Sequence, residues 1–110
     1  MKAACLALTV TLLVGACTTG DFTPPPSVSV ALVAIARGDG ATAQKLAEGR
    51  AVFVSRCLEC HTLPPAGKYS RDEWPHLVAR MAARANLSPS DQEAVTAYLR
   101  AASLYANGQD

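Results

Sequence analysis

The sequence predicts an all-α domain, and three observations predict it. Apolar residues recur at three- and four-residue spacing in successive stretches after residue 27. Two of these stretches open on cap residues with a proline placed where a first helical turn tolerates it. Glycine-bearing breaks separate or close them, at Gly38 with Gly40 and at Asn107-Gly108.

Ahead of that domain stands a segment of another kind. Lys2 is followed by Ala3 to Ala16 without a charge, ending in the small pair Gly15-Ala16, which reads as an export signal over residues 1–16. The apolar run is shorter than the roughly 18 to 20 residues a membrane-spanning helix needs, so a cleaved leader is favoured over a permanent span. Val14-Gly15-Ala16-Cys17 resembles a bacterial lipobox, and the resemblance implies cleavage before Cys17 and lipidation of its thiol. Plain secretion with Cys17 left as a thiol is the alternative. In the lipoprotein sorting pattern, Thr18 rather than Asp after the cysteine implies an outer-membrane address. Residues 17–27 have no apolar periodicity, and Pro24, Pro25 and Pro26 favour extended polyproline geometry. They read as a tether, its ten residues after Cys17 reaching about 30 Å at roughly 3.1 Å per residue. Residues 28–110 form the domain.

That domain is short of core. Beyond residue 16 the chain holds 23 large apolar side chains, and a small domain has little burial to set against its chain entropy. A further source of stability is expected. With Lys2 set aside, nine basic residues face nine acidic ones, which excludes the basic excess that nucleic-acid binding requires.

Residues 27–37, with Val28, Leu32, Val33 and Ile35, suggest a short helix or an apolar strap. Residues 42–56 read as a helix with Leu46, Gly49 and Phe53 on one side. After a loop containing Pro64-Pro65, residues 71–85 read as a second helix. Ser70 and Glu73 form its capping box, and Tyr69 and Trp74 stand at the hydrophobic-staple positions. Pro75 takes the helical partner from the Arg71 carbonyl, tolerably so near the start. On a helical wheel Leu77, Val78, Met81 and Ala85 fall within about 60° of Trp74, and His76 points the other way. Ser88 caps a last helix with Pro89 in its first position and a stripe of Val95, Tyr98, Leu99, Ala102 and Tyr105.

The chemistry lies between the first two long helices, in Cys57-Leu58-Glu59-Cys60-His61. This is the c-type haem attachment signature. The two-residue gap lets both thiols reach the vinyl groups along one edge of a porphyrin, and the next residue then brings its imidazole under the iron. A structural zinc site would need two more Cys or His ligands, and only His76 and Cys17 are left outside the leader to supply them. A redox dithiol would need a βαβ context and leaves His61 unexplained. A plain disulfide is the remaining alternative in an exported protein. Beyond Met1, Met81 is the only methionine, and His76 is the only histidine besides His61. The sixth ligand is therefore Met81, His76, a lysine or no protein group. Met81 is favoured because it lies on the stripe that must face a buried haem, although core packing is the usual meaning of a methionine there.

In order, helix, haem motif, proline loop, ligand helix and C-terminal helix, the chain resembles the small class I cytochrome c family over roughly residues 44–102. The resemblance implies three to four helices packed around one covalently bound haem. It also implies a crossing between the helix entering the motif and the C-terminal helix, with Gly49, Phe53, Tyr98 and Leu99 at the contact. A subgroup of bacterial mono-haem domains is similar in its proline loop, Tyr, Trp and Met helix, here Pro64-Pro65, Tyr69, Trp74 and Met81. The interval from His61 to Met81 is shorter than in longer members, where the methionine usually sits on a loop. By the same resemblance, His61 donates its second ring nitrogen to a carbonyl near Pro64 or Pro65. Lys68, Tyr69 and Arg71 are candidate propionate partners, and Leu63, Trp74, Leu77, Val78, Met81, Val95 and Leu99 line the haem.

His/Met ligation leaves no open coordination position, so the expected protein is an electron carrier cycling Fe(II)/Fe(III) and not an enzyme. Its expected partners are periplasmic or membrane redox proteins and the membrane itself through Cys17, with no nucleic acid and no small-molecule substrate. Two alternatives stand: a haem sensor or enzyme in which Met81 is displaced, and a haem subunit of a larger oxidoreductase complex.

Overall fold

The structure is a computed structural model that describes residues 23–58 and 62–108. These residues form four α-helices and no strand, so the domain is all-α. The leader, Cys17, Cys60 and His61 lie outside the described residues.

The ambiguous run becomes helix α1 (Val30–Ala36), capped by the Ser29 hydroxyl, which accepts from the Leu32 N–H at 3.2 Å. Its Leu32 and Ala36 are buried. A single 3₁₀ turn, Arg37–Asp39, ends at Gly40, whose φ of 71° is left-handed backbone that a residue without Cβ adopts at little cost. Helix α2 (Ala43–Val52) begins at Thr42, whose hydroxyl accepts from the Lys45 N–H at 3.1 Å.

Regular α-geometry was predicted to run to Arg56 but stops at Val52, and Phe53–Cys57 form a wider π-turn. The Ser55 hydroxyl donates to the Ala51 carbonyl at 2.6 Å. Such back-bonding competes for a helical acceptor and bends the chain. The turn carries the backbone to Cys57.

Helix α3 (Trp74–Ala82) is shorter than the predicted 71–85 at both ends. At its start the capping box forms as expected: Ser70 N–H donates to the Glu73 carboxylate at 2.8 Å, and Glu73 N–H donates back to the Ser70 hydroxyl at 3.3 Å. Pro75 has no N–H to give Arg71, so regular helix waits until Trp74. At its far end Leu87 N–H bonds the Ala82 carbonyl at 2.9 Å and Asn86 N–H bonds that of Ala83 at 3.3 Å, with Asn86 at φ 51°. This is a Schellman closure with Asn in the left-handed position.

Helix α4 (Pro89–Asn107) starts where expected, with the Ser88 hydroxyl accepting from Asp91 N–H at 3.0 Å, and stops at Gly108. It is the centre of the fold. Helices α1, α2 and α3 and the 3₁₀ turn Ala66–Lys68 all pack on it. Its buried set, Ala94, Val95, Tyr98, Leu99, Ala101, Ala102 and Ser103, is therefore wider than one stripe.

At the α2–α4 crossing a Cβ on Gly49 would overlap the Ala94 carbonyl and lie 2.8 Å from Tyr98 Cβ. Only hydrogen fits there. Leu32, Leu46, Trp74, Val95, Tyr98 and Leu99 are fully enclosed, and each large apolar side chain so buried contributes about 1.5 to 3 kcal/mol.

The stretch read as a tether touches the domain at its end. Arg50 donates to the carbonyls of Pro26 at 3.1 Å and Pro25 at 3.3 Å, and the Tyr98 hydroxyl donates to Pro26 at 2.7 Å. The polyproline run is thus held on α2 and α4 from Pro25 onward. Among the described residues no helix is long and apolar enough to cross a membrane.

Candidate functional site

The π-turn, the loop after the motif, and helices α3 and α4 enclose a cavity of about 180 Å³. Phe53 and Cys57 line it from the π-turn, and Pro64 and Tyr69 from the loop. Trp74, Leu77, Val78 and Met81 come from α3, Ala85 and Leu87 from its closing turn, and Val95 and Leu99 from α4. None of these side chains carries a charge.

Each wall is fixed by contacts deeper in the fold. The buried Trp74 indole donates from Nε1 to the Ala66 carbonyl at 2.9 Å, tying α3 to the 3₁₀ turn. Tyr69 meets it edge to face at 5.1 Å and 83°. The Ser103 hydroxyl holds the Tyr69 carbonyl at 2.6 Å. Phe53 packs its ring against Trp74 at 6.3 Å and Tyr98 at 6.2 Å. Burial pushes the Tyr98 hydroxyl up to about 12. At the head of α3 the Ser70 backbone N–H, and then its hydroxyl, hold the Glu73 carboxyl below its ordinary range.

The cavity therefore brings together Cys57, first residue of the attachment motif, and Met81, the predicted thioether ligand. His76, the competing histidine, is exposed and borders a shallow pocket with Tyr69, Glu73, Leu77 and Arg80. No family model, curated protein or solved structure matches the chain.

Of the seven side chains expected around a haem, six line the cavity; Leu63 is buried in the core beside it. Phe53, assigned only to the helix crossing, lines it as well. Among the candidate propionate partners only Tyr69 borders it. Lys68 holds its ammonium 5.4 Å from the Tyr69 ring centroid. Arg71 is engaged at 2.7 Å by Asp39, which also accepts from Arg100 at 3.2 Å. The Arg100 hydrogen bond, with that of Arg71, lowers the Asp39 pKa. Arg71 is thus taken up by a network on another face, a pairing that sequence spacing does not reveal.

Leu87 could have been found beforehand. It is the apolar residue following a left-handed helix-closing position, where such a side chain packs back on the helix. Arg56 was also missed; its guanidinium donates to the Ala85 carbonyl at 2.7 Å.

Among the described residues the cavity offers one thiol and one thioether. The Met81 thioether, a soft ligand that Mg²⁺ and Ca²⁺ do not take, and the Cys57 thiol line the same apolar walls. Aromatic and aliphatic faces suit contact with an apolar surface.

Proposed function

We propose that the protein is an electron carrier that holds one haem c through Cys57 and Cys60, with His61 and Met81 as axial ligands. The observation that carries this reading is that Cys57 and Met81 share one uncharged cavity while Cys60 and His61 complete the attachment motif. When bound, a haem would supply one-electron exchange between Fe(II) and Fe(III).

The chain's own residues do the rest. Trp74, Leu77, Val95 and Leu99 would keep water from a haem held there, and such low-dielectric surroundings would disfavour the more highly charged oxidised form. The Trp74 and Ser103 hydrogen bonds fix the loop that covers the site. Leu58, beside Cys57 and 52% exposed, offers an apolar contact for a redox partner where the electron would leave. Lipidation of Cys17 places the domain on the periplasmic face of a bacterial membrane, the outer membrane by the Thr18 address. There the tether substitutes local concentration for a large docking area.

The test is the intact mass of the exported protein together with its ferric spectrum. A haem adduct, cleavage before Cys17 with acylation, and a weak far-red thioether-to-iron band that vanishes in Met81→Ala are expected. A high-spin spectrum that shifts with carbon monoxide at neutral pH would overturn the carrier in favour of a sensor or enzyme.

A further inference from the structure

The Schellman closure of α3 satisfies the carbonyls of Ala82 and Ala83 and leaves those beyond them to find other donors. Arg56 supplies them. Its Nη2 donates to the Ala85 carbonyl at 2.7 Å and stands 3.5 Å from that of Asn86. A cation at a helix C-terminus also meets the negative end of the helix dipole.

Two connections make this contact more than a cap. Arg56 immediately precedes Cys57 in the π-turn. Ala85 lies one turn past Met81, to whose carbonyl its N–H is bonded at 2.9 Å, and lines the same cavity. One guanidinium therefore joins the attachment segment to the end of the helix that carries the thioether.

The side chain is kept at a cost. Its Nε is buried and has no hydrogen-bond partner among the described residues, and a buried, unpaired donor works against folding. A methionine would fill similar space without that orphan, so packing alone does not account for an arginine. The grip on the carbonyls does.

Resting on the electron-carrier reading, we propose that Arg56 is a positioning residue for the sixth ligand: it fixes the separation between Cys57 and the Met81 turn and so holds the thioether against displacement. Without it the end of α3 is freer to move away, and an external ligand competes more easily.

The experiment uses the exported, haem-loaded full chain as wild type, Arg56→Met and Arg56→Lys. Covalent haem is read by mass, ligation by the far-red band, and ligand hold by titrating the ferric protein with imidazole. In Arg56→Met, half-saturation is expected at roughly one-tenth the wild-type imidazole concentration, the size of one lost charge-assisted hydrogen bond. A weakened far-red band is expected with it. Arg56→Lys keeps a single donor without the fork and is expected about threefold below wild type, giving a second reading should Arg56→Met fail to accumulate. Haem content equal to wild type with unchanged imidazole affinity in either variant overturns the proposal, whatever the melting temperature. Wild type without covalent haem would overturn the carrier reading and this inference together.

Discussion

Replacing Gly49 with alanine is the smallest change that tests the central packing of the fold. The added methyl would overlap the Ala94 carbonyl and press on Tyr98 Cβ from 2.8 Å. The obstruction is chiefly backbone, so it cannot be relieved by a rotamer change, and α2 and α4 must move apart. Overpacking of this kind costs about 1 to 3 kcal/mol, and a clash against a carbonyl belongs at the upper end. Alanine returns up to about 1 kcal/mol through its better helix propensity. The net is a loss of about 2 kcal/mol, which for a domain of this size lowers the melting temperature by roughly 8 to 16 °C.

Thermal unfolding of the exported protein by far-ultraviolet circular dichroism measures it. Gly38→Ala is the control, since nothing lies within 4 Å of a Cβ at that position. It should match wild type or melt slightly higher. If Gly49→Ala melts within about 2 °C of wild type, a change typical of an unobstructed surface site, α2 and α4 do not meet in backbone contact at Gly49.

Three other outcomes are expected. On the proposed reading Cys57→Ala/Cys60→Ala removes haem attachment and should show no cooperative thermal transition; a sharp one would mean that the 23 large apolar residues suffice without a cofactor. Ser103→Ala leaves the Tyr69 carbonyl without the donor now 2.6 Å away and should cost about 1 to 3 kcal/mol in denaturant unfolding; no measurable loss would show that water reaches that carbonyl. Tyr98 ionises near 10.0 as an ordinary tyrosine but is pushed to about 12 by burial, so between those values the folded state keeps a proton the unfolded chain has lost. Its contribution is intact below pH 10 and declines as pH rises toward 12. Tyr98→Phe should flatten that part of the stability curve, and parallel curves for the two proteins would refute the assignment.

The parts of this molecule that were legible in the sequence are those written in local chemistry. Ser70 with Glu73, Ser88 with Pro89, and Gly108 each act within a few residues, and the helix ends they mark lie close to where the chain puts them. The wheel that set Met81 with Trp74, Leu77 and Val78 also held, because four residues on one turn-spaced stripe share a face whatever covers it. Periodicity gives faces and not partners. It could not show that α4 would be buried by four neighbours, nor that Arg50 and Tyr98 would meet Pro25 and Pro26 across long stretches of chain. The regular length of α3 falls short of residues 71–85 because Pro75 delays regular helix to Trp74 and the left-handed Asn86 closes it after Ala82.

Charge pairing was the least legible layer, and for a definite reason. Arg71 was available on sequence grounds for a bound carboxylate, but the 3₁₀ turn brings Asp39 between it and Arg100, a juxtaposition with no spacing rule. Arg56 is harder still, because its partner is a backbone carbonyl and carries no residue identity to search for. A route to it does exist. Every helix end leaves carbonyls that need donors; once Asn86 is recognised as the left-handed closing residue of α3, the carbonyls at and just before it become a demand, and a cation on the neighbouring attachment segment is the nearest supply. The same reasoning says where the contact acts: the demand arises at the end of the helix that carries Met81, and the supply comes from the residue before Cys57.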